Sequence, residues 1–191
     1  MLRKDRIVAI VLISIVLCTI LFFYWKSNDN STKTLTSEKS NDFDYYQFKP
    51  FNLTKYEINA TILLPDETAG IGTAFTPEMT HEEGSHLWQL QLGRNFIIHI
   101  EDLGELTDVF QEFKQNLQKS SAFTISSIVD SDSLIVYGRS LSKQYQKENK
   151  ETFHIFAVKY LDGRCYQFRN KEEGNTKTEI LFMQKSIESI K

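Results

Sequence analysis

Two histidines and two glutamates lie within the stretch THEEGSH, Thr80 to His86, and side chains of these types can bind zinc. A helix that carries two histidines four residues apart brings both onto one ion, because they then share a face. Here the histidines are His81 and His86, five residues apart, which on a helix places them roughly 140° apart around the axis. Gly84 also lies between them. We therefore predict that this stretch is a solvated loop and not a helical zinc site.

A loop that folds both imidazoles onto a metal, with Glu82 or Glu83 as a third ligand, is the alternative. It is not favoured, because no further histidine is a convincing partner. His99 in FIIHIE and His154 in TFHIFA lie in the middle of predicted strands. We expect these two to be ordinary sheet residues, paired across the sheet or to a neighbouring carboxylate.

The acidic residues do not form a recognisable catalytic pair. Glu101 and Asp102 are adjacent on a predicted strand, so their side chains point to opposite faces. Asp130 and Asp132 in VDSDS have the alternate spacing of a calcium loop but lack its glycine and distal glutamate, which favours turn formers. Cys165 in GRCYQF is flanked by large residues and is predicted to be buried or half-buried.

Catalytic and nucleotide-binding motifs are also absent from the sequence: it contains no G-x-S-x-G, no P-loop and no glycine-rich dinucleotide fingerprint. We therefore predict no catalytic, cofactor-binding or metal-binding residue, and a protein that is not an enzyme.

The N-terminus reads as a membrane anchor, since residues 7–25 (IVAIVLISIVLCTILFFYW) are 19 residues without a charge. As a helix they would cover about 28 Å, close to the ~30 Å hydrocarbon core of a bilayer. Basic residues precede the run, which places the N-terminus in the cytoplasm and the remainder outside. The run is longer than a signal peptide's and ends without a small-x-small site, so an uncleaved single-pass anchor is favoured over a cleaved signal.

Composition divides the remaining chain into a flexible linker, residues 26–44, and a folded extracytoplasmic domain, residues 45–191. Residues 1–26 hold four basic residues and one acidic residue of the 22 and 25 in the chain, which leaves 18 and 24, a net charge of −6. A net negative domain is a poor partner for nucleic acid or an anionic membrane surface. Cys165 is the only cysteine beyond the anchor, so the domain must be stabilised by its core and not by a disulfide.

Hydrophobic periodicity in this domain predicts three strands, a helix, four strands and a second helix. The predicted strands are Tyr56–Leu64, Leu87–Gly93, Asn95–Glu101, Ala122–Ile128, Leu134–Arg139, Thr152–Tyr160 and Arg164–Arg169. The helices are Glu105–Lys119, with Leu106 in its apolar stripe, and one opened by the capping box TKTE at Thr176 to Glu179. Because short turns join neighbouring strands, we predict an α+β fold: a mainly antiparallel sheet of about seven strands packed with two helices, after one N-terminal transmembrane helix.

This element order, ending in the helix ILFMQKSIESI with its Ser186-Ile187 pair, resembles the PsbP-like superfamily over residues 56–191. The strand ending in Leu64-Pro65-Asp66 matches the opening of that family. The resemblance implies a single antiparallel sheet sandwiched by helices. It also implies a role in binding or assembly, because relatives include extrinsic subunits of photosynthetic complexes, bacterial envelope lipoproteins and a small-GTPase-binding protein. The chain departs from the lipoproteins in having an anchor and no lipidation cysteine, and no functional residue carries over.

The long irregular segment Asp66–Gly84 is the surface where a partner or ligand is expected first, since long loops in compact domains tend to be functional or mobile. It carries Ile71, Phe75 and Met79. The alternative is a loop that Phe75 packs down on the sheet.

We expect a membrane-anchored extracytoplasmic domain, in a bacterial cell envelope, that binds a protein partner as an assembly accessory. The alternative is a small-ligand carrier or sensor that uses the 66–84 loop. A metal-dependent hydrolase is the least favoured hypothesis.

Overall fold

The computed structural model describes residues 45–71, 76–142 and 150–191. All of these belong to one compact unit, Phe43–Lys191. The predicted anchor (7–25) and linker (26–44) lie outside the described residues. Within the described ranges, no helix is long and apolar enough to cross a membrane.

The described residues form a seven-stranded sheet, a separate two-stranded hairpin and two α-helices. In chain order the elements are β1 Phe48–Asn52, β2 Thr61–Pro65, β3 Glu78–His81, β4 Leu87–Leu92, β5 Phe96–Asp102, α1 Val109–Lys119, β6 Phe123–Asp130, β7 Leu134–Leu141, β8 Thr152–Leu161, β9 Arg164–Asn170 and α2 Lys177–Glu188. The main sheet has the order β3-β4-β5-β9-β8-β7-β6, and every neighbouring pair is antiparallel. The predicted α+β class, with an antiparallel sheet of seven strands and two helices, is confirmed.

The membership of the main sheet differs from the prediction. The predicted strand Tyr56–Leu64 is wrong in its first half, because Thr54–Tyr56 forms a 3-10 turn and Glu57 adopts a left-handed backbone with φ 66°. Its second half is β2, which pairs with β1 and not with the main sheet. The seventh strand of the main sheet is instead β3, a short strand inside the segment that was predicted to be irregular.

The turns explain why neighbouring strands pair in this register. Asp162 and Gly163 join β8 to β9 with φ values of 50° and 79°, which is the primed turn that matches the twist of antiparallel strands. Leu161 therefore pairs with Arg164 directly across the turn. The predicted hairpin about Asp162-Gly163 is confirmed.

One face of the sheet, the covered face, carries the main hydrophobic core. Its buried side chains alternate along the central strands with residues of the opposite face, as Ile98 and Ile100 do in β5. Ile180, Met183 and Ile187 of α2 pack against it, fully buried, together with the β1-β2 hairpin. Lys191 is attached to β2 of the hairpin, because Thr61 and Lys191 exchange backbone hydrogen bonds of 3.0 and 3.2 Å.

The other face, the open face, is covered only in part. Phe110, Phe113 and Leu117 of α1 pack over β7 and β8. This helix begins at Val109 and not at Glu105, because Asp108 has a left-handed backbone with φ 63° that no helix continues through. Leu106, predicted to lie in the apolar stripe, is instead 56% exposed in the preceding loop.

Candidate functional site

The THEEGSH stretch is a connection between two strands and not a long loop. His81 ends β3, and its ring stacks on Trp88 of the neighbouring strand β4 with centroids 4.7 Å apart. Its Nε2 lies 2.9 Å from the carbonyl oxygen of Ser85, while His86 is exposed. The imidazole of His81 is therefore committed to packing and to a local hydrogen bond.

No arrangement of metal ligands is assembled there. Among residues 45–71, 76–142 and 150–191, no three His, Cys, Asp or Glu side chains are grouped closely enough to hold a metal ion. Glu82 and Glu83 are both exposed in the turn. This geometry gives no support to the hydrolase hypothesis.

Three other acidic residues singled out in the sequence, Glu101, Asp102 and Asp130, have structural partners. Asp102 is 7% exposed, and its Oδ2 accepts a hydrogen bond of 2.7 Å from Nε of Arg164, whereas Glu101 accepts one from Gln167. Asp130 forms an ion pair with Lys114 of α1. These contacts tie loops and helix to the sheet, and they do not converge on a common site.

Cys165 lies fully buried in the cluster beneath α1, as predicted. Burial raises the pKa of its thiol, which keeps the sulfur protonated and unreactive at neutral pH.

A cavity of about 560 Å³ opens beside the 66–84 segment, between the β1-β2 hairpin and the start of β3. We call it the loop cavity. Its described lining residues are Lys49, Pro50, Phe51, Leu64, Pro65, Asp66, Glu67, Thr76, Pro77 and Leu92. The buried side chains of Leu64 and Leu92 face an exposed ion pair of 2.9 Å between Lys49 and Glu67. It thus combines an apolar lining with a few polar groups, the usual composition of small-molecule sites.

The described apolar residues of the segment do not form an exposed patch. Ile71 and Met79 are partly buried and pack against the main core. Phe75 lies outside the described residues, so the prediction that it packs the segment down stays a prediction.

A second cavity, of about 250 Å³, opens on the open face beside α1 and was not predicted. We call it the basic cavity. Its lining residues are Phe113, Tyr137, Arg139, His154, Ile155, Phe156, Gln167, Arg169, Asn170, Lys171 and Glu172. Three of these are basic and one is acidic, although the chain beyond residue 26 has a net charge of −6. The cavity is therefore a local reversal of the charge of the domain.

Strand register explains how the polar residues of the basic cavity come together. Arg169 of β9 pairs with His99 of β5 on one side and with Phe156 of β8 on the other, and residues paired across strands share a face. Tyr137 and His154 form the adjacent pair between β7 and β8. Their rings stack with centroids 5.3 Å apart.

His154 is only 4% exposed, and its surroundings keep its imidazole neutral. Burial, and then the charge of Arg139, lower its pKa from 6.5 to about 4. Its Nε2 lies 3.0 Å from the hydroxyl oxygen of Thr152. The backbone of Gly174, with φ 80°, comes so close that a Cβ there would meet Nε2 of His154 at 2.8 Å. The loop that precedes α2 therefore closes directly over this imidazole.

The alternation of polar and apolar residues in β9 indicates the exposed face on which the basic cavity lies. In RCYQFRN, Gln167 and Arg169 alternate with the buried Tyr166 and Phe168. Polar residues at every second position of a central strand indicate a face that is not fully covered. What the alternation does not reveal is which residues of other strands lie opposite, because register is a tertiary property.

No protein-family model, no curated protein and no solved structure matches this chain. The resemblance to the PsbP-like superfamily therefore stays a prediction.

Proposed function

We propose that this chain is a single-pass membrane protein, anchored through residues 7–25, whose extracytoplasmic domain binds a small ligand in the loop cavity as a carrier or sensor. The observation that carries the ligand proposal is the volume of about 560 Å³ beside the 66–84 segment. Ligand sites typically occupy roughly 300–1,000 Å³ and are mostly apolar with few polar groups.

The chemistry of the lining supports a predominantly apolar ligand with one polar group. Phe51 and Pro77 line the loop cavity and are half-buried, so they offer apolar surface that a ligand can reach, above the buried Leu64 and Leu92. The ammonium of Lys49 and the carboxylate of Glu67 lie at the rim and remain hydrated. A ligand would pack its apolar part against Phe51 and Pro77 and direct its polar group to this ion pair.

Blocking the rim tests the ligand proposal. Thr76 lines the loop cavity and Thr80 on β3 does not, yet both are exposed, so tryptophan at either position leaves the core unchanged. The full-length chain in lipid nanodiscs would be incubated with neutral, apolar fragments that each carry one hydrogen-bonding group, and native mass spectrometry would count bound fragments. We expect binding to wild type and to Thr80→Trp, and loss of binding in Thr76→Trp. Equal occupancy in both variants, or none in wild type, would contradict the proposal.

A protein partner is the second candidate, favoured by the outer edge of the main sheet. β6 is the last strand in the sheet order, so its outer side has no strand neighbour among the described residues. Its only charged residue is Asp130, at its end. An edge strand of eight residues without internal charge can accept a strand from another protein.

Crosslinking in intact membranes tests this second candidate. Lysines at Thr124 and Ser127, both exposed on β6, should repel an added strand, whereas Thr107→Lys in the exposed loop before α1 is the control. A partner that crosslinks to wild type and to Thr107→Lys but not to the β6 variant would support strand addition. A crosslinking pattern that is identical for all three forms would exclude the β6 edge as the interface.

A further inference from the structure

We propose that the basic cavity is a second binding site, specific for a small organic anion: a carboxylate or phosphate ester on a flat, apolar body. The site is separate from the loop cavity, because the two share no lining residue in the part of the chain that the structure describes. Its features are two guanidinium groups, of which that of Arg139 is held in place, an aromatic end and a volume of about 250 Å³.

Arg139 is held in one orientation before any ligand arrives. Its guanidinium carbon lies 4.8 Å from the centre of the Phe123 ring. One of its terminal nitrogens donates a hydrogen bond of 2.7 Å to the backbone carbonyl of Glu172. A guanidinium has five N–H donors, so a group held by stacking and by one hydrogen bond keeps donors for an anion. Because it is already ordered, little side-chain entropy is lost on binding.

Arg169 supplies a second guanidinium on the neighbouring part of the sheet. Its nearest acidic partner is Glu101, and the closest nitrogen–oxygen distance of 3.9 Å is longer than a hydrogen bond. The side chain is 44% exposed, so an incoming ligand can reach it. Lys171 adds a further positive charge, whereas Glu172 is the one acidic residue among the described lining residues. The paired N–H donors of an arginine guanidinium match the oxygens of a carboxylate or phosphate. The charged end of the ligand is therefore one of these two groups.

The other end of the basic cavity is aromatic. Phe113 and Phe156 lie parallel, with centroids 3.7 Å apart, and Tyr137 is 6.1 Å from Phe113. Phe156 and Tyr137 are only 4% and 7% exposed, so the half-buried Phe113 is the ring of this group against which a flat apolar group can pack. An apolar cavity of about 150 Å³ holds benzene, and the basic cavity has about 250 Å³. The space therefore suits a single ring together with its carboxylate or phosphate.

Phenyl phosphate and benzoate are suitable probes, with benzamide as the uncharged match of benzoate. Isothermal titration calorimetry would use the full-length chain in detergent micelles, with the same detergent in the syringe. We expect both anions to bind and benzamide to bind at least tenfold more weakly, because one charge-assisted hydrogen bond contributes roughly a factor of ten. Absence of binding by both anions, or equal binding of benzamide and benzoate, would overturn the proposal.

Charge-matched variants locate the bound anion. Arg169→Gln should weaken phenyl phosphate binding about tenfold, whereas Arg94→Gln, which removes the same charge from an exposed turn outside the basic cavity, should leave it unchanged. Arg169→Lys keeps the charge but loses the fork, so an intermediate affinity is expected. Equal affinity in Arg169→Gln and Arg94→Gln would show that the anion binds elsewhere and would overturn the proposal.

A second arm identifies the source of the anion. Phosphatidylglycerol would be added to the micelles during the phenyl phosphate titration. Displacement of phenyl phosphate, dependent on Arg169, indicates that a lipid headgroup is the natural anion. Unchanged binding indicates a soluble one. Because the fragments for the loop cavity are neutral and Thr76 lies outside the basic cavity, the two proposals fail independently.

Discussion

The two faces of the main sheet use the same strands for different purposes. On the covered face, residues such as Phe168 and Ile98 are completely buried beneath α2 and the β1-β2 hairpin. On the open face, the residues next to them in sequence, Arg169 and His99, are polar and partly exposed. Neighbouring residues of one strand therefore point to opposite faces: one face stabilises the fold, and the other is available for binding.

The two cavities follow the same division. The loop cavity lies at the border of the main core, and its floor is formed by buried leucines. The basic cavity lies where α1 ends its coverage of the open face, and polar strand residues line it. The difference predicts that truncating a fully buried side chain of the covered face costs more stability than truncating a side chain of the open face.

The largest expected effect comes from Phe168→Ala on the covered face. Phe168 is 0% exposed, so its removal leaves a cavity in a closed core and should cost ~3–5 kcal/mol in the free energy of unfolding. Phe113→Ala on the open face, where the ring is only partly buried, should cost roughly half as much. Urea denaturation of both variants checks this, and equal losses would contradict the division between the faces.

Acid should weaken the domain through His154. Its pKa is about 4 in the folded protein and near 6.5 when unfolded, so the unfolded state binds more protons below pH 6.5. The contribution is present above pH 6.5 and is lost as pH falls towards 4, by about 2 kcal/mol between pH 7 and pH 5. Unfolding curves of wild type and His154→Gln at both pH values measure this loss. A variant whose loss on acidification equals that of wild type would exclude His154 as the cause.

Removing the N-terminal cap of α2 should lower the free energy of unfolding by a smaller amount. Thr176 accepts a hydrogen bond of 3.3 Å from the backbone N–H of Glu179, whose carboxylate accepts one of 2.9 Å from the N–H of Thr176. Thr176→Ala should therefore destabilise the protein by ~1 kcal/mol. Thr176→Ser keeps the hydroxyl and should stay close to wild type. If both variants melt at the same temperature, the cap contributes nothing.

The smallest change in stability is expected for Arg169→Gln. Its side chain is 44% exposed and makes no close ion pair, so the free energy of unfolding should change by less than ~0.5 kcal/mol. The same denaturation series measures this. A loss comparable to that of Phe168→Ala would mean that Arg169 supports the fold, and its effect on anion binding would then lose its meaning.

Local patterns were sufficient for much of the fold. The alternation of apolar residues correctly predicted β4 and β5, and Asp162-Gly163 predicted the last hairpin. The capping box TKTE predicted the start of α2. Each of these features depends on residues that are neighbours in sequence. Backbone conformation at single residues was not predictable in the same way. Glu57 and Asp108 adopt left-handed backbones that interrupt a predicted strand and shorten a predicted helix. Neither residue type requires that conformation, so only the tertiary structure reveals it.

The candidate sites were predicted less completely. The 66–84 segment was expected to bind a protein partner or a ligand because of its length, which stays a prediction; the loop cavity adjoins the segment. The short strand β3 within it was missed, since Glu78–His81 has no long alternation and forms by pairing with β4. The basic cavity unites residues from α1, β7, β8 and β9, which lie far apart in sequence. The spacing of His81 and His86 raised the question of a metal site, which was not favoured. The buried His154 was expected to be an ordinary sheet residue, yet burial lowers its pKa strongly.

A crossed binding experiment on the full-length chain in nanodiscs distinguishes two separate binding sites from one. Native mass spectrometry would follow a neutral apolar fragment and phenyl phosphate together, in wild type, Thr76→Trp and Arg169→Gln. Two separate sites predict that Thr76→Trp loses only the fragment and that Arg169→Gln loses only phenyl phosphate. If either variant loses both ligands, or if neither loses its own, the two cavities are not separate binding sites and the account is wrong.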